Sequence, residues 1–460
     1  MWDVSEIAEG RRGRTRRPGC DVTAAIDSGR RVKRLSRPMI IGLHLWRSRP
    51  THWNTRCFPF WLPMHDTLHL RRCRTLYLEP RQQTSFDLRA LVSGGTGMTL
   101  RSVWTALAPH LPAPVELNES QVLLLGRLDP ERWEPRPAGG DDSDLRYLLA
   151  HGLVQAQGAD RDALAEREAQ LRQVPWWGPA AMLHWQGRWQ GQDSVKALES
   201  AGLHTAAGLR AHLGPPPPAL APHAGEPRRL PRQPEEAFDR SLRERSTCRN
   251  FDTAQPLPLA ELSRLLQRTL AETGRQVVEE DAVFLKKNVP SAGGLHPTEA
   301  YLLVQHVEGL QAGLYHYDPA SHGVSALPSD ARSMAELAAL FTAGQHWFAD
   351  APVLIVLAPR FARTYWKYRH HPKAYRAVIL DVGHISQLLL TCATEQGLGA
   401  FVTAAINEQD IEQVLGMDPM QLSPLAVCGV GWRAQQMSTS EFDPGGQVWT
   451  PVLTAEPPTG

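Results

Sequence analysis

The chain has 460 residues, 42% of them apolar, a length that predicts two or three domains with real cores. Its 49 Lys and Arg against 48 Asp and Glu leave a formal charge of +1, which removes any overall pull toward nucleic acid or membrane, and no apolar run reaches the ~20 residues of a bilayer span. The six cysteines, Cys20, Cys57, Cys73, Cys248, Cys392 and Cys428, contain no C-x-x-C pair, which argues against a zinc ribbon or disulfide framework and for a reducing cytoplasm.

Residues 1–63 are Arg-rich, with Arg11, Arg12, Arg14, Arg16 and Arg17 followed by Arg30, Arg31 and Arg34. Such an arm suits nucleic acid. Ordered pattern begins only near Leu70, so the segment reads as a disordered extension, or as the result of a start codon chosen upstream of Met64. It shows no secretory h-region. From 64 to 214 the chain reads as a smaller α/β unit. Residues 75–79 are a candidate strand. Asn118 is placed to cap a helix carrying Val122, Leu123, Leu124 and Leu128, with Gln121 completing a capping box; Ser120 is the weaker cap. A second helix over 144–151 runs into Gly152-Leu153-Val154, a winged-helix-like order, and a third helix spans about 159–173. Trp176, Trp177, Trp185 and Trp189 follow, with Trp185 and Trp189 spaced to share a helix face and expected to serve packing. The four-proline run 215–218 and four later prolines predict a stiff linker over 215–234.

Residues 235–437 alternate helices and strands. Leu259, Leu262, Leu265, Leu266 and Leu270 have helical spacing. Residues 313–318 form a short strand, and 353–357 a continuous apolar one buried on both faces. A long apolar helix over 378–396 stops at Gly397. Asn407 caps a helix ending at Gly416, and 425–430 is a last buried strand. Residues 438–460 are polar and rich in Pro and Gly, a tail expected to be disordered or wrapped on a partner.

Four constellations carry chemistry. Arg245-Ser246-Thr247-Cys248-Arg249-Asn250-Phe251 sets two guanidinium groups about two hydroxyls, donors suited to gripping phosphate oxygens; alone, it would be a solvated basic turn. Residues 290–299 read Pro-Ser-Ala-Gly-Gly-Leu-His-Pro-Thr-Glu, and paired glycines admit close approach of backbone to a flat ligand. Pro297 cannot donate to a ladder, so the next strand starts after it. His296 reads either as an acid/base or as a histidine hydrogen-bonded within its loop. Trp366-Lys367-Tyr368 precedes Tyr375-Arg376 and Leu380-Asp381-Val382-Gly383-His384. Gly397-Leu398-Gly399 and Gly429-Val430-Gly431-Trp432-Arg433 place glycines and an arginine at strand ends, where a planar ligand or phosphate would fit.

Taken in order over about residues 240–435, these motifs resemble the nitroreductase superfamily in its SagB-type form, the azoline dehydrogenases of thiazole/oxazole peptide pathways. The resemblance implies an α+β fold, a nitroreductase-like mixed sheet flanked by helices that binds FMN as a homodimer, preceded by a winged-helix-like peptide-recognition domain. It places Arg245, Ser246, Thr247 and Arg249 at the FMN phosphate, with Arg433 as a third phosphate ligand. It turns Pro290, Ser291, Ala292 and Gly293 toward the flavin N5 and O4 edge, and sets Gly399 and Gly431 beside the cofactor. Ser246 stands where the family signature has arginine, which shifts the phosphate grip toward Arg249 and another basic residue.

Lys367 and Tyr368 match the family's catalytic pair. Either Lys367 is the base, or Tyr368 is, with Lys367 stabilising its phenolate. The implied reaction removes a Cα proton and a Cβ hydride from an azoline to give an azole, with dioxygen as a reoxidant. The implied partners are a peptide substrate and a second copy of the chain, with a cyclodehydratase as a further candidate; neither nucleic acid nor a membrane is among them. Two other readings compete. The long N-terminal region and the Lys-Tyr pair oppose an NAD(P)H-dependent nitro or quinone reductase. Arg249, Ser291, Lys367 and Tyr368 oppose a peptide-binding scaffold with a degenerate flavin fold.

Overall fold

The computed structural model describes residues 68–138, 141–159, 162–220 and 228–449; the readings of the Arg-rich arm and of the last residues of the tail fall outside the described residues. All the described residues lie in one compact unit, Met64–Gly460.

The larger half of this unit is built on a six-stranded sheet. Its order is Gly323–Ala326, Gly313–Asp318, Thr298–Val304, Val353–Pro359, Ala426–Gly431 and Gly399–Thr403, each strand antiparallel to its neighbours. The parallel component of the expected mixed sheet is small: Thr247 bridges Ala400, and Leu257–Pro258 pairs with Val307–Glu308. Every residue of Val353–Pro359 is buried. The strand lacks apolar–polar alternation because both of its faces are covered. Val353, Ile355 and Leu357 enter one core with Leu265, Leu266, Val382, Ile385 and Leu389, whereas Leu354 and Val356 enter a second with Phe341, Phe348, Phe401 and Ile411. Each such side chain contributes roughly 1.5–3 kcal/mol when fully buried, so the two layers dominate the stability of this half.

The helices of the first layer are Leu259–Thr269 and Ala374–Glu395; Met334–Phe341 and Glu408–Leu415 serve the second. Ala374–Glu395 ends in a Schellman motif. Gly397 takes φ 75°, its N–H donates to Thr394 O at 2.9 Å, and Leu398 N–H donates to Ala393 O at 2.8 Å. By length and composition this helix is apolar enough to cross a membrane, although the sequence reading found no run of that length. In the fold its apolar face lies in the first core and Asp381 turns to a loop. Asn407 precedes Glu408–Leu415, yet its side chain does not cap it; the amide instead donates to Gln192 O and Leu340 O.

In the smaller half, His69–Arg72 lies between Glu134–Pro135 and Val154–Ala156 in a three-stranded sheet. Helices Glu119–Arg127 and Asp142–Ala150 pack Leu124, Leu125, Leu145 and Leu148 against Leu70, Leu153 and Val154. The capping box forms as expected: Asn118 Oδ1 accepts from Gln121 N–H at 2.8 Å, and Gln121 Oε1 accepts from Asn118 N–H at 3.0 Å. The third helix is Ala163–Gln173, capped by Asp162. The strand expected at 75–79 is Tyr77–Phe86, paired with Met98–Leu107 in a long hairpin. Its polar, exposed residues Arg81, Gln82 and Gln83 break the strand signal in the sequence.

The tryptophan-rich segment joins the halves. Trp176 is buried against Phe361, Tyr365 and Tyr375, with ring centroids at 4.6, 4.7 and 5.7 Å, and its Nε1–H donates to Met420 O at 2.9 Å. Trp185 lies in helix Gly178–Gly187, but Trp189 is beyond its end, so the two do not share a helix face. Residues 438–449, expected to be disordered or on a partner, fold back on their own chain. Ser438 N–H and Thr439 N–H donate to Asn250 Oδ1 at 2.8 and 2.7 Å.

Candidate functional site

The loop before strand Thr298–Val304 is held from below by the long helix. Ser291 Oγ donates to Asp381 Oδ2 at 2.6 Å, Ala292 N–H donates to Asp381 Oδ1 at 3.1 Å, and His296 N–H donates to Ser291 Oγ at 2.9 Å. His384 Nδ1 lies 3.2 Å from Pro290 O. Ser291, expected at the flavin edge, therefore gives its hydroxyl proton to Asp381. The Asp381 carboxyl is buried, which raises its pKa against the lowering effect of these two bonds. His296 has φ 44° and its imidazole makes no hydrogen bond among the described residues. Burial, then the charges of Lys287, Lys286 and Arg363, depress its pKa to about 4, so it is neutral near pH 7. The backbone of His296, rather than its ring, ties the loop.

Lys367 ends helix Phe361–Lys367 and Tyr368 is its C-terminal cap. The helix is fastened to the loop by Arg363, whose Nε donates to Leu295 O at 3.1 Å and whose Nη2 donates to Val283 O at 2.5 Å. From the other side, Trp176 and His184 pack on Phe361. This clamp carries the Lys-Tyr pair over the glycine loop. A Cβ placed on Gly293 would stand 2.9 Å from Lys367 Nζ and 2.9 Å from Tyr368 OH. Gly293 also takes φ 65°, a left-handed conformation that an L side chain adopts only with strain. Lys367 Nζ lies 5.6 Å from the Tyr368 ring centroid.

The Arg-Ser-Thr-Cys-Arg segment forms a second cluster, at the edge of the sheet. Cys248 N–H donates to Ala400 O at 2.9 Å, and Arg433 Nη2 donates to Ser246 Oγ at 3.1 Å. Arg433 is also paired with Glu441 of the tail. The Glu441 side chain is fully buried, and accepts from Arg249 N–H at 2.5 Å, Asn250 Nδ2 at 2.8 Å and Trp449 Nε1 at 2.8 Å. Burial raises its pKa, but these donors and Arg433 outweigh it, and the carboxyl is held below its ordinary value. Arg245 and Arg249 make no ion pair among the described residues, so their guanidinium charges stay available, whereas that of Arg433 is met within the chain. Gly399 and Gly431 have packing reasons of their own: a Cβ on Gly399 would lie 2.5 Å from Cys248 Sγ, and one on Gly431 would collide with Pro352. No hydrogen bond or ion pair between described residues joins this cluster to the Gly293 cluster.

The motif at 380–384 included Asp381 and the tryptophan-rich segment was expected to serve packing, but the sequence did not show which residues they meet. Arg363 and Glu441 were missed, because each acts through contacts far along the chain.

Residues 242–432 match the family model described as the nitroreductase family. The protein MJ1384 of Methanocaldococcus jannaschii, which carries a nitroreductase name, is 34% identical over 175 residues, covering 37% of this chain and 82% of that protein. The trifolitoxin-processing protein TfxB of Rhizobium leguminosarum bv. trifolii is 31% identical over 173 residues, 36% of this chain and 45% of its own length. The microcin B17-processing protein McbC of Escherichia coli is 25% identical over 183 residues, 39% and 63% respectively. The chain thus spans less than two thirds of either peptide-processing relative. With 82% of MJ1384 covered at 34% identity and residues 242–432 matching the family model, this chain belongs to the nitroreductase family.

Proposed function

We propose that this protein is an FMN-dependent dehydrogenase in the maturation of a ribosomally made peptide, and that it oxidises azoline rings to azoles. The observation that carries the reading is the convergence of Lys367 Nζ and Tyr368 OH on the bare α-carbon of Gly293. An amino group and a phenol hydroxyl meet there over a residue that has no side chain of its own. The names of TfxB and McbC, both peptide-processing proteins, support a peptide as substrate.

The residues present fit FMN. Arg245 and Arg249 offer guanidinium groups that form no ion pair among the described residues, and the hydroxyls of Ser246 and Thr247 lie between them in the chain, a donor set for a phosphate. Residues 290–293 would present their backbone edge to the ring, with Lys367 and Tyr368 standing against the side of Gly293 where a Cβ would be. When bound, FMN supplies the two-electron acceptor for the hydride that the substrate loses.

The protein's own groups do the rest. Lys367 and Tyr368 are placed to take the Cα proton, one as the base and the other as its neighbour. Asp381 holds Ser291 and Ala292, and Arg363 holds Leu295, so the loop does not need to be ordered when substrate arrives. Fixing reacting groups in advance is a large part of what an enzyme contributes to rate. The smaller half reads as the peptide-recognition unit. Trp176 and His184 link it to the helix that carries Lys367. A second copy of the chain and a cyclodehydratase complete the proposed assembly.

The test is incubation of purified, FMN-supplied protein with an azoline-containing peptide, followed by mass spectrometry. Loss of two hydrogens per ring supports the reading. Rapid bleaching of the flavin by NADPH with no change in peptide mass would favour the second reading, a general reductase, which the name of MJ1384 supports. Protein that takes up no FMN would remove both.

A further inference from the structure

Charge around the Lys-Tyr pair is strongly one-sided. Residues 360–376 contain Arg360, Arg363, Lys367, Arg369, Lys373 and Arg376 and no acid, in a chain whose formal charge is only +1. Across from them, the approach to the glycine loop opens with Lys286 and Lys287 and has no acid before Glu299. Glu299 is already committed to Arg360, at 2.7 Å, and to His316, at 3.1 Å. Asp381 faces inward to Ser291 and Ala292.

Among the described residues only Arg360 of these cations forms an ion pair, and three of the others, Lys286, Lys287 and Arg363, bear on the loop. Lys287 is 4% exposed, yet makes neither an ion pair nor a hydrogen bond among the described residues. An ammonium group buried in that way costs free energy unless something supplies a counter-charge. Arg363 uses its guanidinium on two carbonyl oxygens, so its charge is not neutralised. Lys286 is exposed at the end of strand Ala282–Lys286. Arg363 bonds both Val283, on the strand that ends in Lys286, and Leu295, next to His296, so it joins the lysine-bearing segment to the loop beside the Lys-Tyr pair; all three cations also act electrostatically on the His296 imidazole.

We propose that Lys286, Lys287 and Arg363 form a carboxylate subsite, and that the peptide taken by this enzyme carries acidic residues flanking the ring to be oxidised. The inference rests on the peptide-dehydrogenase reading and names its substrate class. Arg363 joins the strand that carries Lys286 to the loop at Leu295, a compact placement that suits a carboxylate or two better than the repeating phosphates of a nucleic acid strand. Their use would be selection and orientation: charge complementarity at a site rejects wrong partners and sets register.

The test uses the whole chain, supplied with FMN, and dye-labelled peptides without any azoline, read by fluorescence anisotropy. One peptide has two glutamates flanking an apolar centre and an amidated C-terminus. A second has glutamines in their place, and a third has the glutamines with a free C-terminal carboxylate. At low salt the glutamate peptide is expected to bind about five- to tenfold tighter than the glutamine peptide, as two partly exposed ion pairs would give. High salt should close most of that gap. Lys286→Glu, at an exposed position, should abolish it, and Lys287→Met should reduce it.

Equal binding of the glutamate and glutamine peptides overturns the proposal, as does a gap that survives both substitutions. Preference for the free C-terminal carboxylate alone would assign the cluster to a chain end and overturn the flanking-residue form. A single-stranded oligonucleotide that binds more tightly than every peptide overturns it as well. Because the readout is binding of unreactive peptides, its failure leaves ring oxidation standing. Absence of FMN uptake with the glutamate preference intact removes the dehydrogenase reading alone.

Discussion

Replacing Gly293 with alanine probes the site at its narrowest point. Two costs follow from the structure. The residue has φ 65°, and holding an L side chain in the left-handed region costs roughly 1–2 kcal/mol. The added methyl would also stand 2.9 Å from Lys367 Nζ and from Tyr368 OH, and 3.2 Å from Lys367 Cδ. These are mostly the ends of mobile side chains, so the clash is relieved by moving them rather than by unfolding. Stability should therefore fall only by the backbone strain, a drop of about 2–4 °C in melting temperature for each kcal/mol in a domain of this size. Turnover should fall much further, because a displacement of about 1 Å in reacting groups can cost on the order of a hundredfold. The assay pairs a thermal melt with FMN absorbance and azoline oxidation on the same preparation. A Gly293→Ala protein that stays yellow, melts a few degrees lower and loses most of its kcat fits the reasoning. Wild-type kcat in that variant would refute the claim that the Lys-Tyr pair works against this backbone.

Lys367→Ala and Tyr368→Phe should each keep FMN and lose most turnover; colourless protein would mean that these residues serve binding instead. Asp381→Asn keeps the shape but replaces one acceptor oxygen with a donor, so it should cost about 1–3 kcal/mol in chemical denaturation and loosen the loop to proteolysis; unchanged stability and turnover would count against its positioning role. Glu441→Ala leaves Arg433 partly buried without its counter-charge and should release residues 438–449, seen as early tryptic cleavage near Arg433 and a loss of roughly 3 kcal/mol. Retained protection of the tail would show that Glu441 does not fasten it. His184 is buried between the two halves, and its pKa is lowered to about 3 by burial and then by Arg188. The folded form thus binds fewer protons than the unfolded one between pH 6.5 and 3, so this stabilisation is complete above 6.5 and is lost as pH falls through that window, by up to about 1.4 kcal/mol per unit. His184→Gln should flatten the slope in a denaturant series, and an unaltered slope would place the acid sensitivity elsewhere.

What could be read from the chain alone was whatever is encoded within a few residues. The capping box at Asn118 and Gln121 is a matter of three positions, and it forms as expected. Pro297 bars a ladder bond, and the strand begins at Thr298. The unbroken apolar run at 353–357 announces burial on two sides, and its side chains do divide between two cores. The order of the four motifs carried the family. Period, capping and the absence of donors are properties of short stretches, so they survive in one dimension.

Tertiary structure alone decided which distant residues meet. Nothing in the composition of 360–376 says that helix Phe361–Lys367 swings Lys367 and Tyr368 over Gly293; Arg363 on the loop and Trp176 behind the helix impose it. Gly399 and Gly431 look equally suited to a ligand, but their empty Cβ positions belong to Cys248 and Pro352. Arg433 is a phosphate ligand by motif, and in the fold it faces Glu441, from a tail whose polar composition resembles disorder. Such pairings depend on how helices pack and strands register across the whole sheet. A lone buried charge finds its partner wherever that packing delivers one, with no trace in the residues beside it.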